Sequence, residues 1–219
     1  MKARKHAFPL LSLILLPCFP VARAETLYVW TNSPAEAPPY TNWHTAAHAI
    51  QDAADQVSGG DTILVTNGVY DSGEAITPGG TLPARVVISG DITLRSVNGP
   101  EVTEIRGQGP DGTNAVRGVY VSGLALVSGF TITNGHVKTE GMHIQDREGG
   151  GVYFGGDGTL SNCVIRDCGG SGICMYQDGV VVDSLIQNNI GVFGGGVDSQ
   201  NGGTLTRCRI INNTALSAG

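Results

Sequence analysis

Charge and aromatic surface are scarce in this 219-residue chain, where charged residues make up 15% and aromatic residues 6%. The 13 Lys and Arg are outnumbered by 19 Asp and Glu, the formal charge is −6, and the sequence holds no basic patch. Nucleic-acid binding rests on clustered Lys and Arg, so no nucleic-acid partner is expected, and other polyanions gain no attraction unless a bound cation supplies it. Long apolar runs are missing as well. The apolar stretch from Leu10 to Leu16 is far short of the ~20 residues that a membrane-spanning helix needs, and Pro9 and Pro17 bracket it. Glycine is abundant at 33 residues but follows no collagen period. The cysteines have no zinc spacing behind them.

The short apolar stretch reads as part of an export signal. Lys2, Arg4 and Lys5 form a positive leading region, Leu10 to Leu16 the apolar centre, and Ala22-Arg23-Ala24 a small-x-small cleavage site before Glu25. Residues 1–24 are therefore expected to be a signal peptide, and the mature protein to be secreted or held at the cell surface. Pro17 directly before Cys18 suits a lipid-attachment site poorly.

What the mature part does contain is a repeat. Leu160 to Cys168, Val181 to Asn189 and Leu205 to Asn213 are versions of one segment, starting 21 and then 24 residues apart (181 − 160 and 205 − 181). A glycine-rich turn and a short apolar piece precede each copy, at Gly149 to Phe154, Gly172 to Tyr176 and Gly194 to Val197. A period just above twenty residues, built of strands without helix, marks a β-solenoid. Equivalent residues of successive coils then stack about 4.8 Å apart. Leu160, Val181 and Leu205 form one aliphatic column; Ile165, Ile186 and Ile210 form another. Cys168, Asn189 and Asn213 form a third, where asparagine side chains can bond a turn's backbone and each other.

Once the signal is removed, Cys163, Cys168, Cys174 and Cys208 remain. Cys163 and Cys208 share a repeat position two coils apart, hence about 9.5 Å, which is out of disulfide reach. Cys168 and Cys174 either meet across a corner or stay buried as free thiols packing like small hydrophobes.

Upstream of the repeats, Thr26 to Trp30 is strand-like and Pro34 to Pro39 is a proline-rich loop. Ala46, Ile50, Ala54 and Val57 fall on one face of an amphipathic helix, with Asn42 or Thr45 as its cap and Gly59-Gly60 as its stop. Its expected task is to cover the open end of the solenoid core. His44 and His48 are read as surface residues. From Asp61 onward the chain reads as β-branched runs between Gly, Asn, Asp and Pro, with two longer excursions at about residues 71–84 and 136–148. The domain reading is residues 25–60 as strand, loop and cap, and 61–219 as coils. These stop at Asn212 to Gly219 without helix, charged edge or polar cap. The expectation is a chain continuing as a longer solenoid, or an end covered by a partner or by self-association.

Gly59 to Tyr70, Ile92 to Pro100, Ser128 to Gly135 and the Gly-Gly-Gly-Val turns resemble the right-handed parallel β-helix proteins of the pectin-lyase-like superfamily, in particular large secreted or surface proteins of bacteria. The resemblance covers residues 45–219. It implies an all-β fold, a right-handed parallel β-helix behind an N-terminal amphipathic capping helix. It also implies either a polysaccharide-active enzyme or a non-catalytic scaffold, because this architecture hosts both.

The enzyme motifs of that superfamily are missing here. Hydrolases of the type carry Asn-Thr-Asp, Asp-Asp and Gly-His-Gly in successive coils to supply paired carboxylates; only Gly135-His136 survives as a fragment. A pectate-lyase-like site needs calcium-binding carboxylates and an arginine base, and the repeats offer Asp157, Asp178, Asp183 and Asp198 with Arg166, Arg207 and Arg209. Asp157, Asp178 and Asp198 are placed in the turns after the glycine-led strands, where they form turns or together hold a calcium ion. The loop with His136, His143, Asp146 and Glu148 is the other candidate for chemistry. No catalytic residue, metal ligand or resident cofactor is assigned. The reading is a secreted or surface β-helix scaffold or adhesin-like domain that meets polysaccharide or other surface components. The alternatives are a polysaccharide lyase or glycosidase, or the passenger of a larger exported protein.

Overall fold

The computed structural model describes residues 23–217, so nearly all of the expected signal peptide lies outside the described residues. The chain winds through three main sheets in turn, and a small fourth sheet pairs Ile190–Gly191 with Thr214–Ala215. The first sheet has seven strands: Thr26–Val29, Thr62–Val65, Thr93–Ser96, Leu126–Ser128, Thr159–Ser161, Val180–Val182 and Thr204–Thr206. The second runs from Gly68–Tyr70 through Thr103–Arg106, Thr131–Thr133, Val164–Arg166 and Leu185–Gln187 to Arg209–Ile211. The third stacks Pro83–Ser89, Arg117–Ser122, Val152–Phe154, Ile173–Met175 and Val197–Ser199, with the short strand Ala75–Ile76 at its edge. All of these pair in parallel except Ala75–Ile76, which turns back antiparallel on Pro83 and Ala84. This is the expected parallel β-helix.

The columns predicted from the repeat are in register. Leu160 pairs with Val181 and Val181 with Leu205; Ile165 pairs with Ile186 and Ile186 with Ile210. Both columns continue upstream, to Val127, Leu94 and Ile63 in the first sheet and to Ile132 and Ile105 in the second. Both columns stay fully buried until the final coil, where Leu205 and Ile210 are 41% and 46% exposed. In the third column Asn189 accepts from the Cys168 amide and donates to the Ile165 carbonyl, and Asn213 Oδ1 accepts from both the amide and the side chain of Asn189. The ladder replaces backbone bonds that the corner cannot make.

The corners depend on one left-handed residue each. Gly129, Asn162, Asp183 and Arg207 follow the first-sheet strands, and Asn134, Asp167, Asn188 and Asn212 follow the second-sheet strands, all at positive φ. Asn, Asp and Gly tolerate that region best, which explains their recurrence one residue past each strand.

The N-terminal cap differs from the sequence expectation. The α-helix spans only Ile50–Ala54 and follows a 3-10 turn, Trp43–Thr45, whose amides are capped by Asn42. Helix cannot extend back to Ala46 because Ala47 is spent on pairing: its amide donates to the Tyr28 carbonyl and its carbonyl accepts from Trp30. The cap still covers the core. Ala46, Ala47, Ile50 and Ala53 are buried, and Gln51 Oε1 accepts the Val87 amide at 2.7 Å, satisfying a donor on the third sheet.

The four cysteines among the described residues, Cys163, Cys168, Cys174 and Cys208, are free. Cys168 faces the core, whereas Cys174 faces outward among Ala84, Tyr120 and Tyr153, so the sheet wall separates them. Burial pushes the Cys168 thiol up to about 12 and makes it inert at neutral pH.

The two excursions are fastened together. Asp146 is buried and accepts from the Thr81 amide and hydroxyl and from the Leu82 amide, at 2.7–2.9 Å. Arg117, 0% exposed, donates to the Gly149 carbonyl at 2.9 Å, to Thr77 Oγ1 at 2.8 Å and to the Glu148 carbonyl at 2.7 Å, and also reaches the Gln145 carbonyl. Its guanidinium lies 4.7 Å from the centroid of the Tyr153 ring. Residues 71–84 and 136–148 thus form one cover over the outer face of the third sheet.

Candidate functional site

The fastened loop makes one wall of a cleft of about 460 Å³. Lys138, Ile144, Arg147 and Glu148 come from the loop; Asp111, Ser171, Val192, Phe193 and Asp198 come from the corners and strand opposite. The facing wall exists because the last repeat is longer. Strand Val152–Phe154 precedes Ile173–Met175 by 21 residues, but Ile173–Met175 precedes Val197–Ser199 by 24, and the extra length falls in the corner 190–196. That enlarged corner pushes Val192 and Phe193 into solvent, at 51% and 59% exposure. The cleft joins apolar surface from Ile144, Val192 and Phe193 to charged groups on both walls.

At one end of the cleft two carboxyl groups meet. Ligand atoms of Glu148, Cys174 and Asp198 lie within 4.8 Å of one another. The Cys174 thiol donates to Glu148 Oε2 at 3.6 Å, and the Gln200 amide donates to both carboxylates, at 3.3 Å to Asp198 and closer to Glu148. Burial first, then the Asp198 charge, raises the Glu148 pKa from its ordinary value. Burial likewise raises the Cys174 thiol, with the two acids adding to it, so Cys174 stays protonated. The set combines a carboxyl of raised pKa with a second carboxyl and a protonated thiol. Two carboxyls and a thiol match poorly the six to eight oxygens that calcium takes.

Two of the other charges in the cleft, Lys138 and Asp111, are engaged within the protein. Lys138 Nζ donates to the Thr81 carbonyl and hydroxyl at 2.9 and 2.6 Å. Asp111 accepts from the Val137 amide at 3.1 Å and pairs with His136 Nδ1 at 2.8 Å. Burial alone would raise the Asp111 pKa, but the bonds from His136 and Val137 outweigh it and lower the value. Arg147, exposed, has no ion-pair partner among the described residues.

The sequence candidates are redistributed. Asp157 and Asp178 do sit one coil apart and line a second, shallower cleft of about 330 Å³ with Leu124, Val180 and Thr204. Asp198 is not with them. It lies on strand Val197–Ser199 opposite Cys174, and Gly202 takes the position beside Asp178, because the longer corner shifts the register. Of the four loop candidates, only Glu148 lines the main cleft. His136 is turned to Asp111, His143 precedes the 3-10 turn Ile144–Asp146 in exposed chain, and Asp146 is a buried fastener. Asp111, Arg147, Phe193 and Gln200 were not singled out, and Cys174 was read only as a disulfide partner or a buried thiol. The signal that leads to Phe193 is the step in repeat length from 21 to 24.

Fold and cleft together define a right-handed parallel β-helix with a loop-walled groove on its third sheet. The chain belongs to the family described as right handed beta helix region, which matches residues 86–218. Among solved structures it is similar to pectate lyase Pel9A, with a TM-score of 0.62 and 18% identity over 89% of this chain and 49% of that one. A pectin methylesterase crystallised with a hexasaccharide also matches, with a TM-score of 0.39 and 11% identity over 86% of this chain and 50% of that one. The chain thus spans about half the length of these two proteins. No curated protein matches it.

Proposed function

We propose that this chain is an exported β-helix domain that binds polysaccharide in the cleft between the 136–148 loop and the 190–196 corner. The carrying observation is the cleft's construction. A loop held by a buried cation and a buried anion faces an exposed aromatic ring, so the surface is ordered before any ligand arrives. The shared fold with a pectate lyase supports a carbohydrate ligand by analogy only. Replacing Phe193 with Ala is expected to weaken oligosaccharide binding at least about tenfold in a calorimetric titration, as loss of a stacking ring does, with the melting temperature unchanged. Wild-type affinity in the variant would remove the cleft from consideration.

A second reading, a carbohydrate-active enzyme, is favoured by one observation: the half-buried Glu148 carboxyl lies beside Asp198 in the cleft with its pKa raised, an arrangement suited to a general acid and its partner. Pectate is not its expected substrate, since the superfamily's acidic constellations are absent. Assays of unsaturated product and reducing ends on pectate, with and without calcium, are expected to show no turnover. Turnover abolished by Glu148→Gln with binding intact would establish the enzyme reading.

A further inference from the structure

Resting on the polysaccharide reading above, we propose that the cleft selects an uncharged, hydroxyl-rich sugar chain over an acidic one. Ile144, Val192 and Phe193 are large apolar side chains left in solvent, and all three border this cleft. Apolar surface of that kind matches the C–H face of a pyranose ring, and the Phe193 ring supplies a flat surface for it. The charged groups of the cleft decide the charge of the ligand. Lys138 donates to Thr81 and its charge is set against that of buried Asp146, whose pKa it lowers, while Asp111 accepts from His136 and Val137, so both are engaged within the protein. What remains is one free cation, Arg147, against the acidic pair Glu148 and Asp198.

An acidic sugar chain carries a carboxylate on every residue. Arg147 can neutralise one of them, while the next is set against Glu148 and Asp198, and the chain's overall charge of −6 has the same sign. Sugar hydroxyls carry no such penalty. They donate to carboxylate oxygens and accept from the guanidinium, using donors and acceptors that the cleft leaves open. The discrimination is therefore built by repulsion of the acidic ligand as much as by attraction of the neutral one.

The test is a titration of the purified protein, in chelator to remove bridging cations, with neutral hexasaccharides of β-1,4-linked galactose, glucose and xylose and with hexagalacturonate. At least one neutral chain is expected to bind about tenfold or more tightly than hexagalacturonate, with little dependence on salt. The variant Glu148→Gln/Asp198→Asn is expected to move the ratio toward hexagalacturonate by about tenfold. Hexagalacturonate binding as tightly as every neutral chain, or a ratio unmoved in the variant, would overturn the selectivity while leaving polysaccharide binding standing. No binding of any of the four would bring down both.

Discussion

Ile186→Asp is expected to abolish the cooperative melt. Ile186 is fully buried between Ile165 and Ile210, and the carboxylate would face a column with no donor or cation. An unpaired buried charge costs several kcal/mol, to which loss of the isoleucine adds ~2–5 kcal/mol, against a total stability of about 5–15 kcal/mol for a domain. Coils in a solenoid lean on their neighbours, so the damage spreads to the coils on either side. Cys168, bonded through its amide to Asn189 in the next corner, would become reactive toward a thiol reagent. Ile186→Val, at ~0.5–1.5 kcal/mol, is the control expected to fold. A melt of Ile186→Asp near the parent temperature would disprove the register.

Arg117→Met should release the loops while sparing the helix. Methionine fills much of the same space but strands the carbonyls of Gln145, Glu148 and Gly149 and the hydroxyl of Thr77, at ~1–3 kcal/mol for each acceptor left buried. Hydrogen exchange is expected to speed up by orders of magnitude over residues 72–82 and 138–149 and to stay slow at Ile132, Ile165 and Ile186. Acid should act on the other fastener. Burial alone would raise the Asp146 pKa, but bonds from Thr81 and Leu82 and the Lys138 charge outweigh it, so the value is lowered. Its contribution is full above the ordinary carboxylate value and is lost as pH falls through the lowered one, so the same loops should loosen there first. Asp146→Asn should show that loosening already at neutral pH. Protection of both loops unchanged in Arg117→Met would mean that the cover is held by other contacts.

Much of the fold was legible because a parallel β-helix writes its geometry into sequence period. Ile165, Ile186 and Ile210 could be stacked on paper before any coordinate was known, and so could the asparagine ladder. The helix was overread at its start: the apolar spacing from Ala46 is genuine, but Ala47 serves it by strand pairing with Tyr28 and Trp30 rather than by helix. The site was less legible. Asp157, Asp178 and Asp198 are almost evenly spaced in sequence, yet the even spacing misleads, since the longer repeat puts its extra residues before Asp198. Glu148 and Asp198 were each noticed, in different groupings; only folding of the 136–148 loop onto the third sheet brings them together. Arg117 heads an apolar strand, and its role depends on carbonyls about 30 residues away that no local pattern reveals.

Hydrogen exchange with and without a saturating neutral hexasaccharide tests the central claim most directly, because it reports where the ligand sits as well as whether it binds. The account predicts added protection confined to residues 138–148 and 190–198. Protection instead over the outer face of the first sheet, or along the Asp157 and Asp178 cleft, would contradict it.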